Sequence, residues 1–95
     1  MINLFRKKKP TEDIKPIDFF LYFDRQSDGK KLIHILEKEG FKITHYEILN
    51  YNGKSQWSLK ITKICNSNEL YQIEKQLGAY AKKFHGEYDG YDRPV

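Results

Sequence analysis

From Ile17 to Phe23 the chain reads Ile-Asp-Phe-Phe-Leu-Tyr-Phe, and Ile17, Phe19, Leu21 and Phe23 fall on every second position. Side chains alternate sides along a strand but spiral around a helix, so a period of two predicts a strand with one wholly apolar face. Asp18, Phe20 and Tyr22 make its other face mixed. Such a strand needs cover on one side only, which points to a sheet with a single layer packed against it.

The rest of the chain supplies that layer. Asp24 to Gly29 reads as a polar turn in which Ser27 or Asp28 caps a helix, and Leu32, Ile35 and Leu36 give that helix an apolar stripe. Gly40 is placed to end it, and Phe41 to Leu49 reads as a second strand. Asn52-Gly53 predicts a hairpin into a third strand, where Trp57, Leu59 and Ile61 alternate with Ser58, Lys60 and Thr62 up to about Ile64. Asn66, Ser67 and Asn68 offer caps for the longest helix, whose apolar face is Leu70, Ile73, Leu77, Tyr80, Ala81 and Phe84. Gly86 is expected to stop this helix, Glu87 and Tyr88 to begin a short fourth strand, and Asp89-Gly90 to turn the chain before a frayed end. The order is βαββαβ. That order predicts an α+β, ferredoxin-like two-layer sandwich, a four-stranded antiparallel sheet with both helices on one face and the first and third strands central.

At 95 residues the chain suits one domain, expected over residues 16–95 behind a flexible basic leader at 1–15. Aromatics at 15% supply enough buried area to fold it. The net charge of +4 is carried entirely by Arg6, Lys7, Lys8 and Lys9, because residues 11–95 hold 13 Lys and Arg against 13 Asp and Glu. The basic character therefore belongs to an anion-binding arm and not to the body. The single Cys65 has no internal disulfide partner, and neither a secretory signal nor a membrane-spanning run is present, so a cytoplasmic location is expected.

Catalytic chemistry has no signature here. His34, His45 and His85 are spread over three elements without metal-ligand spacing, so neither a metal nor a cofactor is implied. Gly53-Lys54-Ser55 resembles the tail of a phosphate-binding loop, but Ile48 stands where that motif needs its first glycine, and a strand follows. No sequence signature supplies a base beside Cys65, and Glu37 with Glu39 or Asp89 with Asp92 read as solvated acids. A non-catalytic protein that binds another macromolecule is the expectation.

Two surfaces could do so. With the odd positions of the first strand buried, Phe20 and Tyr22 face away from the helices, and Tyr46, Lys42 and Thr44 of the second strand and Lys60 of the third are expected beside them. Aromatics interleaved with lysines on an open sheet stack single-stranded RNA, although the third strand here offers no aromatic to that face. The second surface is the string Phe-His-Gly-Glu-Tyr-Asp-Gly-Tyr, Phe84 to Tyr91.

That string resembles the C-terminal signature of the regulator of ribonuclease activity B family. Gly40-Phe41-Lys42-Ile43-Thr44 is similar to the family's approach to its second strand, and Ile73, Gln76, Leu77, Ala81, Lys83 and Phe84 are similar to its last helix. Tyr91 stands where the family usually has Trp. The resemblance implies a ferredoxin-like fold and a protein inhibitor that binds the endoribonuclease ribonuclease E, with Glu87, Tyr88, Asp89, Gly90 and Tyr91 as the protein-binding residues. Known members are markedly acidic, whereas this body is neutral and carries a basic arm.

Overall fold

The alternation from Ile17 to Phe23 is realised as strand β1, Lys15–Phe23, with Ile17, Phe19, Leu21 and Phe23 buried and Asp18, Phe20 and Tyr22 half-buried. The structure, a computed structural model, describes residues 14–92, so the Arg6–Lys9 segment and the chain end lie outside it. Helix α1 (Gln26–Lys38), strands β2 (Lys42–Tyr51) and β3 (Lys54–Cys65), helix α2 (Ser67–Lys83) and strand β4 (Gly86–Asp92) follow. The sheet is antiparallel in the order β2-β3-β1-β4, so β1 and β3 are central. This is the ferredoxin-like arrangement, and the two most regularly apolar strands take the two positions with neighbours on both sides.

One core lies between the sheet and the helices. Leu32 and Leu36 of α1 and Leu70, Ile73, Leu77 and Ala81 of α2 are buried in a single cluster with the inward residues of β1 and with Leu59 and Ile61 of β3. Phe19 sits at its centre, edge-on to Phe41 with ring centroids 6.0 Å apart. Both helices therefore cover the same face, and among the described residues the other face of the sheet carries no helix.

The ends of the elements agree with the sequence in part. Asn66 is the N-cap of α2 in a reciprocal capping box, its side chain accepting from the Glu69 N–H at 2.9 Å while its own N–H donates to Glu69 Oε1 at 3.0 Å. At the end of α1, Gly40 has φ +93, and the N–H groups of Gly40 and Phe41 return to Glu37 and Leu36 in a Schellman pattern. Asn52 and Gly53 both adopt positive φ, +50 and +75, as the hairpin requires.

Two expectations about helix ends are corrected. Helix α1 begins at Gln26 behind an extended Arg25 without a side-chain cap, so Ser27 and Asp28 lie inside its first turn. Asp28 there is buried and paired with Arg25 Nε at 3.2 Å, a carboxylate favoured by the positive end of the helix. The residue that leaves α2 in the left-handed conformation is His85, φ +60, not Gly86. Gly86 instead opens β4 directly against Phe23, where a Cβ atom would lie 2.5 Å from the Phe23 ring and 2.7 Å from the Tyr22 carbonyl oxygen.

Candidate functional site

Strand β4 is an edge strand, and its register with β1 sorts the Glu87–Tyr91 string onto two faces. Glu87 lies opposite Tyr22 and Gly90 opposite Phe20 on the open side, whereas Tyr88 lies opposite Leu21 and Tyr91 opposite Phe19 on the helix side. Two tyrosines three apart share a face only because the ladder slips by one residue between Phe20 and Leu21, leaving Asp89 as the extra residue of a β-bulge. Gly90 at φ +120 provides the backbone angle this bulge needs. Asp89-Gly90 therefore bulges a continuing strand and does not turn the chain, which corrects the sequence expectation.

The two rings have different surroundings. Tyr88 is half-buried under α2, and its hydroxyl donates to Glu74 Oε2 at 2.7 Å. Burial and then the Glu74 carboxylate push its pKa well above the usual tyrosine value. Tyr91 leans on Phe19, 6.5 Å between centroids, and is 42% exposed. Glu87 and Asp89 are exposed. The outward part of the string is thus Glu87, Asp89 and Tyr91, and Tyr88 is tied into the packing of α2 on β4.

A pH dependence follows from Tyr88. Its folded pKa exceeds its unfolded value near 10, so its contribution is complete below about pH 10 and is lost as pH rises further. Tyr88→Phe should remove about 1 kcal/mol at neutral pH by taking the donor from Glu74. It should also make the loss of stability above about pH 10 shallower. Urea titrations at neutral and alkaline pH test both, and equal alkaline slopes for the two proteins would contradict the assignment.

The open face forms rows across the sheet. Lys42, Thr62, Asp18 and Asp92 make the first; His45, Lys60, Phe20 and Gly90 the second; Glu47, Ser58, Tyr22 and Glu87 the third. Phe20, Tyr22 and Lys60 are therefore neighbours, as the alternation predicts. Lys60 is not free, however, because its Nζ lies 3.8 Å from Asp18 Oδ2, and Asp18 also accepts a 2.5 Å hydrogen bond from the Thr62 hydroxyl.

Tyr46 is not on this face. A second bulge, between Ile43 and His45, inserts Thr44 as an extra residue and reverses the sides of everything after it. Tyr46 consequently lies opposite Leu59 on the helix side, packs at a tilt against Trp57 with ring centroids 5.1 Å apart and donates its hydroxyl to the Gln26 carbonyl at 2.6 Å. Burial first and the nearby Asp28 second raise its pKa. Thr44 closes the bulge by donating its own hydroxyl to the Lys60 carbonyl at 2.9 Å. A one-residue irregularity of this kind leaves no period in the sequence to reveal it.

The same slip brings Leu49, which alternation alone would send inward, onto the open face opposite Gln56. With Tyr22, Asn50 and Gln56 it lines a hollow of about 400 Å³, and a second hollow of about 270 Å³ continues from Tyr22 past Asp24, Lys54, His85 and Glu87. Neither Leu49 nor Gln56 stood out in the sequence. Among the described residues no group of three or more His, Cys, Asp or Glu could hold a metal ion, and no helix is long and apolar enough to cross a membrane. The exposed groups offer hydrogen bonds, charge and ring faces, the means of recognition.

No curated protein matches the chain. A sequence profile described as Regulator of ribonuclease activity B matches residues 8–92, which takes in all six elements, both bulges and the whole Glu87–Tyr91 string. The chain belongs to the regulator of ribonuclease activity B family.

Proposed function

We propose that this protein is a non-catalytic, cytoplasmic regulator that binds a ribonuclease E-type endoribonuclease through the β4 margin of its sheet. Membership of a family of ribonuclease regulators, over nearly the whole chain, is the observation that carries this reading. The accessible part of the signature is Glu87, Asp89 and Tyr91, two acids and a ring along an edge strand. An edge strand leaves backbone donors and acceptors unpaired, and the two acids add electrostatic preference for a basic segment. Gly90 and Tyr88 support this margin from within, the first by allowing the bulge and the second by anchoring β4 to α2.

Direct binding of single-stranded RNA by Phe20, Tyr22 and Lys60 has less behind it. Lys60 is engaged by Asp18, Tyr46 lies on the far side of the sheet, and Glu47, Glu87 and Asp92 bring negative charge to the face that would meet phosphates.

Cleavage of a defined transcript by a purified ribonuclease E-type enzyme should slow when the full chain is added. Glu87→Lys with Asp89→Lys should weaken that inhibition about tenfold while the fold persists. If saturating protein leaves cleavage unchanged, the proposed activity is wrong. If the wild type inhibits and the double variant inhibits equally, the β4 margin is not the contact. Inhibition that tracks the protein's affinity for the transcript alone would favour the RNA reading.

A further inference from the structure

The third row of the open face sets an aromatic ring between two acids. Crossing the sheet from β2 to β4, its residues are Glu47, Ser58, Tyr22 and Glu87. Neighbouring strands lie about 4.8 Å apart, so Glu47 and Glu87 stand about 14 Å from each other at the two ends of the row. Ser58 is the shortest side chain between them, and Tyr22 lines both hollows of this face, so its ring borders open space. Among the described residues the ion pairs are Arg25 with Asp28 and Lys60 with Asp18, which leaves the Glu47 and Glu87 carboxylates without a counter-charge.

The charges around the row narrow the chemistry of a ligand. On one side Lys60 is held by Asp18 and stands beside His45, and on the other the hollow beyond Tyr22 carries Lys54 and His85 with Asp24. With histidine counted as neutral, Asp18 offsets Lys60 and Asp24 offsets Lys54, so the two glutamates remain in excess. A phosphate-bearing ligand meets repulsion there. A divalent cation needs several oxygens within about 2.6 Å, which carboxylates at opposite ends of the row do not provide. A guanidinium fits both parts of the row, since its plane lies on an aromatic face while its N–H groups donate in a fork to a carboxylate. A lysine ammonium offers the charge without the plane or the fork.

We propose that this row is an arginine-binding site for an extended basic segment of a partner protein. One guanidinium lies on the Tyr22 ring above Ser58 and donates its fork to Glu87, and a second basic residue of the same segment meets Glu47. In an extended chain residues two and four positions on recur on the same side at about 6.8 and 13.6 Å, so a segment crossing the strands reaches both glutamates. The hollow bordered by Leu49 and Gln56 adjoins the row and seats an apolar neighbour of the arginine. The proposal rests on the ribonuclease reading only for the source of the segment, since the site is defined by residues of this chain.

Amide NMR titrations of the full chain test it with three probes: a capped hexapeptide of alternating arginine and glycine, its lysine counterpart, and a uridine hexanucleotide. At about 0.02 M salt the arginine peptide should move the amides of Tyr22, Ser58 and Glu87 saturably, and the lysine peptide should bind severalfold more weakly. The amides of Leu32 and Leu77, under the opposite face, should stay in place. Glu47→Gln with Glu87→Gln, both at exposed positions, should weaken the arginine peptide about tenfold. Tyr22→Leu should erase the preference for arginine over lysine. Equal binding of the two peptides, or no saturable shift at these amides, would overturn the proposal, as would a stronger response to the hexanucleotide. If the arginine peptide binds this row while the protein leaves ribonuclease cleavage unchanged, the site stands and only the identity of the partner is wrong. If cleavage is inhibited and the row ignores the peptide, the site is wrong and the ribonuclease reading stands.

Discussion

Phe19→Ala is expected to lower the free energy of unfolding by about 3–5 kcal/mol, the largest effect of any single truncation in this chain. Phe19 is fully buried on the central strand β1 and touches the packing from three directions. Ile61 pairs with it across β3, Phe41 meets its ring edge-on, and Tyr91 closes the β4 side. Removing the ring takes away its transfer free energy and leaves a cavity that strands paired on both sides of β1 cannot collapse to fill. Much of a small domain's total stability, about 5–15 kcal/mol, would go with it. Urea unfolding followed by circular dichroism measures the change. A loss under about 1.5 kcal/mol would mean that Phe19 is not the centre of the core.

The second large effect is Gly86→Ala, expected to cost about 1–3 kcal/mol through overpacking. The added methyl group would meet the Phe23 ring at 2.5 Å and the Tyr22 carbonyl oxygen at 2.7 Å. Phe23 is 1% exposed and cannot swing aside, and the carbonyl belongs to the central strand. The start of β4 has to move away from β1, which should also expose its amides to faster hydrogen exchange. Gly78→Ala is the control. Gly78 lies within α2 with nothing inside 4 Å of an added Cβ, so that substitution should stabilise the protein by about 0.4–1 kcal/mol. Similar costs for both glycines would show that the effect at Gly86 is not steric.

What could be read from residues alone, and what could not, divides along one physical line. The period of two in β1 and β3, the stripes of α1 and α2, the Asn52-Gly53 hairpin and the Asn66 cap are all local, set by which side chains share a face or which side chain reaches a nearby N–H. Those features sufficed for the element order and, through connection rules, for the sheet order. The errors have non-local causes. Gly86 looked like a helix terminator, but the reason for glycine there is Phe23, more than sixty positions earlier. Ser27 and Asp28 looked like caps, but Asp28 is drawn inside the first turn beside Arg25 while Tyr46 from β2 holds the Gln26 carbonyl.

For the candidate site the division is sharper. The Glu87–Tyr91 string was visible as a string, yet its bulge decides that Tyr88 and Tyr91 turn toward the helix layer while Glu87 turns away. The bulge at Thr44 moved Tyr46 off the open face and put Leu49 on it, because one extra residue exchanges the two sides of a strand.

By itself the sequence determined the βαββαβ order, the inward residues of β1 and β3 and the confinement of excess positive charge to Arg6–Lys9, all properties of neighbouring residues and simple counts. Tertiary structure alone decided which side chains share the open face, that Lys60 is paired with Asp18, that Tyr88 is tied to Glu74, and that among the described residues Asp18, Glu47, Glu87 and Asp92 outnumber Lys42, Lys54 and Lys60 on the face opposite the helices. These depend on the register between strands distant in the chain, and register is set by pairing and bulges that no local pattern records.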